Sequence, residues 1–236
     1  MNISRVTTFR FSLSMSLLFA ACSLFAAGGG SAGGGSVGGS SEPVKRKTPQ
    51  EMAVSNYNAG LKNRDKAWGY QERASTESNA KKVAKLDKKA NKQFQKAAKR
   101  FRTAIKYEPR LYQAHGSLGY ALKQLGEFDD ALSAYNLSVE LKPTYTPAIE
   151  YRAEAHLALG RLDEIKPAYI QLLNLDRPRA DQLMAAIQRW LDAPHDDIDL
   201  ATLTEFRSWA VERITLSAQT LDLTGAPSPD WQPGEQ

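Results

Sequence analysis

The residues best equipped for chemistry in this chain are three histidines, one cysteine and adjacent pairs of carboxylates such as Asp129-Asp130 and Asp196-Asp197. His115, His156 and His195 lie far apart in sequence. No two share the short spacing that turns a pair of imidazoles from one helix face toward a metal, and Cys22 has no second thiol to join it in a zinc site or an internal disulfide. His115 and His156 fall where a helix faces its neighbour, which suits packing better than proton transfer. Asp129-Asp130 and Asp196-Asp197 stand where helices are expected to start. Negative charge there complements the positive end of the helix dipole, so acid–base work is not needed to explain them. The run GGGSAGGGSVGGSS at 28–41 could suggest a phosphate-binding loop, but no Gly-Lys-Ser/Thr follows it and no strand precedes it. The expectation is a chain that is not an enzyme and holds neither cofactor nor metal.

The elements that position these residues are helical and repeat. Phe101, Tyr135 and Tyr169 are separated by 34 residues each time, as are Ala97, Ala131 and Ile165, and Ala104, Ser138 and Leu172. Gly126 and Gly160 keep the same step, as do Pro109 and Pro143, with Pro178 one residue late. Several columns sharing one period of this length point to stacked helix–turn–helix units. Each column has a physical reason. Small residues let two helices approach, an aromatic one turn later fills the space between hairpins, and glycine accepts the left-handed conformation at a helix end. Proline closes each unit because it cannot continue a helix, and Thr146-Pro147 is read as the cap that starts the next.

The segment from Tyr112 to Pro143, with Leu118-Gly119, Gly126, Ala131, Tyr135 and Pro143, resembles a tetratricopeptide repeat. The unit from Thr146 to Pro178 is a looser match. Arg152-Ala153 replaces Leu-Gly, Ile165 replaces a small residue, and Pro167 falls early in the second helix, so this hairpin is expected to pack less tightly. The first unit needs two extended helices, near 50–75 and 79–108. Val83, Leu86, Ala90, Phe94, Ala97, Phe101 and Ile105 form its apolar stripe, and Thr48-Pro49-Gln50-Glu51 is a capping box that starts it. The expected fold is all-α: a helical-hairpin solenoid of about three repeats over 48–178, with an extended first hairpin and capping helices over 179–222. Leu183, Ile187, Trp190 and Leu191, then Leu203, Phe206, Ala210 and Ile214, mark the apolar faces of those last two helices.

The ends carry different signals. Residues 1–27 combine Arg5 and Arg10 with an apolar run from Phe11 to Ala27 and small residues at its close, the pattern of an export signal. A membrane anchor at the short limit of bilayer thickness is the competing reading. Phe19-Ala20-Ala21-Cys22 resembles the lipobox of bacterial lipoproteins, which would make Cys22 a lipidation site. Otherwise Cys22 leaves with the signal. Residues 28–47 read as a flexible Gly/Ser-rich linker, and 223–236 as a disordered tail. The expected location is the periplasm or cell envelope.

Charge is distributed unevenly. Formal net charge is +5, yet Lys81 to Lys106 holds 11 basic residues and one acid, whereas Tyr112 to Gln236 holds 10 basic and 19 acidic residues. The basic helix is either a solvated face opposite its apolar stripe or a dock for a polyanion such as an anionic lipid or envelope polymer. Lys88, Lys92, Lys96 and Lys99 are its candidates. Export and the lack of stacking aromatics on its polar side argue against nucleic acid. Resemblance to the repeat family implies a scaffold that binds a partner protein or peptide segment in a groove lined by the first helix of each pair. Tyr120, Lys123, Gln124, Glu150, Glu154 and Leu157 would face that groove, unless they are ordinary solvated positions. Glu150 and Glu154 would suit a neutral or basic segment.

Overall fold

The computed structural model describes residues 47–225, with side chains through residue 216. The export signal, Cys22, most of the linker and the tail beyond residue 225 lie outside the described residues. Among the described residues every regular element is helical: α1 (Pro49–Ser75), α2 (Ala80–Tyr107), α3 (Tyr112–Gln124), α4 (Phe128–Leu141), α5 (Thr146–Ala158), α6 (Ile165–Leu175), α7 (Arg177–Leu191) and α8 (Leu200–Gly225). A short 3-10 turn, Leu162–Glu164, leads into α6. The all-α solenoid with a long first hairpin is thereby the fold of this chain. None of these helices is long and apolar enough to cross a membrane.

The first hairpin starts as its sequence dictates. Thr48 Oγ1 accepts from the Glu51 amide at 3.2 Å, and the Thr48 amide donates to Glu51 Oε2 at 2.8 Å. This reciprocal cap satisfies two amides that have no partner inside the helix. Asn79 caps α2 by accepting from the amides of Lys81 and Lys82, which offsets the poor fit of lysines to a positive helix end. At 27 and 28 residues, α1 and α2 are about twice as long as α3 and α4 at 13 and 14.

Aromatic rings of the second helices seat against glycines of the first. A Cβ built on Gly60 would lie 2.4 Å from the ring of Phe101, and one on Gly119 would lie 2.7 Å from the ring of Tyr135. Both rings are fully buried. Gly126 and Gly160 end α3 and α5 at φ +80° and +66°, in the left-handed region where a Cβ is penalised. Successive first helices then pack side by side, α3 on α5 and α5 on α7. The core divides into two parts. One centres on Phe94, Phe101 and Tyr135, the other on Ile149, Leu157, Ile165 and Leu183.

Several expectations need correction. Thr146 caps nothing: the residue before α5 is Tyr145, with no side-chain cap, and Thr146 Oγ1 instead donates to Asp176 Oδ2 at 2.8 Å. Pro178 does not close a unit. It sits in the first turn of α7, the place Pro147 holds in α5. Although Ile165 and Tyr169 are buried, α5 and α6 meet less extensively than α3 and α4, as expected of a hairpin with an early Pro167. The proline is accommodated by the 3-10 turn and by shortening α6 to 11 residues. The start of α7 therefore follows the start of α5 by less than the 34-residue step that separates α3 from α5, and the strict period breaks there. α7 packs on α5 and α6 as α5 packs on α3 and α4, so the capping helices continue the stacking. Leu183, Ile187 and Phe206 are fully buried in this last hairpin. α8 extends to Gly225, past the expected start of the tail.

Candidate functional site

The first helices α1, α3, α5 and α7 present one face, and a continuous set of polar and aromatic side chains runs across it. Trp68 of α1 donates its indole N–H to Tyr120 Oη of α3 at 2.8 Å, and the two rings meet edge to face at 5.8 Å. The Arg64 guanidinium lies 4.1 Å from the Trp68 ring centre, within cation–π range. One turn on, Gln71 Nε2 donates to Gln124 Oε1 at 3.0 Å. Tyr120 in turn packs on Tyr151 of α5 with ring centres 5.0 Å apart. Lys123 Nζ lies 4.8 Å from the Tyr151 ring centre and ion-pairs with Glu154. Glu150, one turn before Glu154, pairs with Arg179 of α7, and Arg179 also reaches Asp176 Oδ2 at 3.3 Å.

Burial gives this set its electrostatics. Glu150 and Glu154 are both buried in a shared site. Desolvation and the neighbouring Glu154 charge push the Glu150 carboxyl up to about 7, with Arg179 opposing the shift. Burial pushes the Tyr151 phenol up to about 12, aided by the Glu150 charge. The Tyr120 phenol is raised further, also by burial first. The phenols therefore stay neutral and serve as hydrogen-bonding surfaces. Lys123 and Arg179 counter the carboxylates in place, because a buried charge without a partner is costly. This arrangement holds helices in register. It offers no nucleophile beside a base, and no group of three metal-ligating side chains occurs among the described residues.

The expected groove residues fall into distinct places. Tyr120, Lys123, Gln124, Glu150 and Glu154 are brought together across α3 and α5. Tyr120, Glu150 and Glu154 are, however, buried components of the network rather than a displayed surface. Leu157 is wholly buried in the second core, so it does not face the groove. The acidic character that suggested a basic partner is offset by Lys123 and Arg179. Gln71, Gln124, Trp68 and Tyr151 remain partly exposed. Sequence reading missed Trp68, Gln71, Tyr151 and Arg179. The 34-residue period could have flagged Tyr120 and Glu154 as one column, but Arg179 lies beyond the shortened α6 and so falls out of register. Lys88, Lys92, Lys96 and Lys99 are all exposed on α2, away from this network. His115 is buried and its Nε2 lies 2.8 Å from the Pro109 carbonyl oxygen. His195 stacks on Trp190 with ring centres 3.5 Å apart. Both act in packing.

The tetratricopeptide repeat family model matches residues 86–146. Among solved structures, the chain is similar to the first TPR of Spaghetti (RPAP3) bound to the HSP90 peptide SRMEEVD, at 21% identity and a TM-score of 0.45, covering 60% of this chain and 95% of that one. It is similar to the first TPR domain of the human RPAP3 protein at 21% identity and a TM-score of 0.43, covering 62% and 99%. MamA AMB-1 is similar at 20% identity and a TM-score of 0.36, covering 55% and 72%. No curated protein matches the chain.

Proposed function

We propose that this chain, which carries tetratricopeptide repeats, is a non-enzymatic scaffold of the bacterial cell envelope that holds an extended segment of another protein on the face formed by α1, α3, α5 and α7. Stacked helical hairpins of this kind create long curved surfaces suited to such segments. The observation that carries the reading is the tying of all four first helices by Trp68–Tyr120, Lys123–Glu154 and Glu150–Arg179. A face fixed in advance loses little conformational entropy when a partner binds.

The chemistry of the face indicates the segment. Its buried charges already have partners within the chain. What remains accessible is the amide pair Gln71–Gln124 and the partly exposed rings of Trp68 and Tyr151. Each amide keeps donor and acceptor capacity beyond the bond it makes, so it can serve a partner backbone. A segment of low net charge with apolar or aromatic side chains fits this face best.

Crosslinking in intact cells, followed by identification of the captured protein, tests the proposal. Gln124→Arg places a bulky charge on the face and should abolish capture while leaving the helical content unchanged. Undiminished capture would refute the binding face. The envelope location rests on residues 1–27 and the linker. Fractionation together with the mass of the mature N-terminus tests it, and also separates a lipidated Cys22 from one removed with the signal.

A further inference from the structure

The outer face of α2 carries a straight row of lysines. Lys81, Lys85, Lys88, Lys92, Lys96 and Lys99 are all exposed. At 3.6 residues per turn they fall within an arc of about 80°, and at 1.5 Å per residue they span about 27 Å. The buried side chains Val83, Ala90, Phe94, Ala97 and Phe101 lie opposite. None of the six lysines makes an ion pair among the described residues. Their neighbour Lys82 pairs with Glu77 at 3.6 Å.

The rest of the chain supplies the matching surface. Asp129, Asp163 and Asp197 recur at 34-residue steps and all three are exposed; Asp129 lies in the first turn of α4, Asp163 in the 3-10 turn before α6, and Asp197 between α7 and α8. Asp130 and Glu164 add to two of the three positions and are also exposed. The segments that carry these positions touch in succession. Arg161 reaches Asp129 at 3.0 Å, and Ile198 lies against Gly160, 3.1 Å from where its Cβ would stand. With neighbouring helices packed about 8–10 Å apart, the three acidic positions span roughly 20 Å along one edge.

We infer that the lysine row of one copy docks on the acidic edge of another, so that the chain self-associates head to tail. The occupant follows from charge and shape: a linear array of about one lysine per helical turn meets a linear array of carboxylates of comparable length. Lysines favour such a contact because each is a point charge that does not need bidentate geometry. The two surfaces differ, so the contact is heterologous. It leaves one row and one edge free for further copies, producing open chains or a ring. The association involves a different face from that proposed for the partner segment, and either can fail without the other.

Sedimentation of the full chain at low ionic strength and at about 1 M salt, where the Debye length is about 3 Å, tests this. The expected result is an average mass that rises with concentration to at least twice the monomer at low salt and returns to monomer at high salt. Lys88→Glu/Lys92→Glu/Lys96→Glu and, separately, Asp129→Lys/Asp163→Lys/Asp197→Lys should each remain monomeric when alone. Mixing the two should restore association, because each presents what the other now lacks. A wild-type monomer at low salt, or no restoration on mixing, would overturn the inference. So would a monomer retained by phosphatidylglycerol vesicles in a lysine-row-dependent manner, which would give the row to an anionic surface instead.

Discussion

Trp68 and Tyr120, 52 residues apart, share a hydrogen bond of 2.8 Å and an edge-to-face ring contact. This pair joins the long first hairpin to the regular repeats, and it does so on the proposed binding face. Tyr120→Phe keeps the ring and removes the acceptor of this bond. The expected loss is about 1–2 kcal/mol in urea unfolding, with an unchanged denaturant slope. No loss would mean that the bond contributes nothing to holding α1 against α3.

Lys123 and Glu154 form a buried pair between α3 and α5. Lys123→Met strands a carboxylate, and breaking such a pair costs about 3–5 kcal/mol. Lys123→Met with Glu154→Gln removes both charges and should recover much of that loss. A double-mutant cycle measures the difference. Simple additivity of the two single changes would show that the charges do not interact.

Glu150 predicts an unusual pH dependence. Its carboxyl is raised from 4.5 to about 7 by burial first, then by Glu154, against the opposing pull of Arg179 and Lys123. The folded state therefore holds this proton more tightly than the unfolded state does. Between the two values the folded chain binds more protons, and stability falls as pH rises. Thermal unfolding from pH 4.5 to 7 should show this decline, and Glu150→Gln should flatten it. An unaltered profile in the variant would assign the dependence to other groups.

Two glycines of α1 separate packing from helix propensity. At Gly60 a methyl group would strike the Phe101 ring, whereas at Gly69 nothing lies within 4 Å. Gly60→Ala should destabilise by about 1–3 kcal/mol through overpacking. Gly69→Ala should stabilise by about 0.4–1 kcal/mol, because alanine has less freedom to lose on folding. Equal effects at the two sites would contradict the close seating of Phe101.

The hairpin fold was legible because its causes are local and repeated. Phe101 and Tyr135 mark the rings between helices, Gly126 and Gly160 mark the helix ends, and Thr48 to Glu51 announces the start. The electrostatics of the face were not legible. Glu150 and Glu154 read as exposed acids because the cations that offset them, Arg179 and Lys123, come from other helices. Arg179 was hidden further by the shortened α6, which shifts α7 out of the 34-residue register. Trp68 was obscured by the expansion of the first hairpin, which places it outside any repeating column. Leu157 read as a groove residue but lies in the core, clustered with side chains of α6 and α7.

Site-specific photo-crosslinking in living cells tests the central claim most directly. A photoreactive residue at Gln71, on the first-helix face, is compared with one at Ile170, exposed on α6. The account predicts a discrete adduct with another protein from Gln71 and none from Ile170. Adducts of equal yield from both positions, or from Ile170 alone, would contradict it.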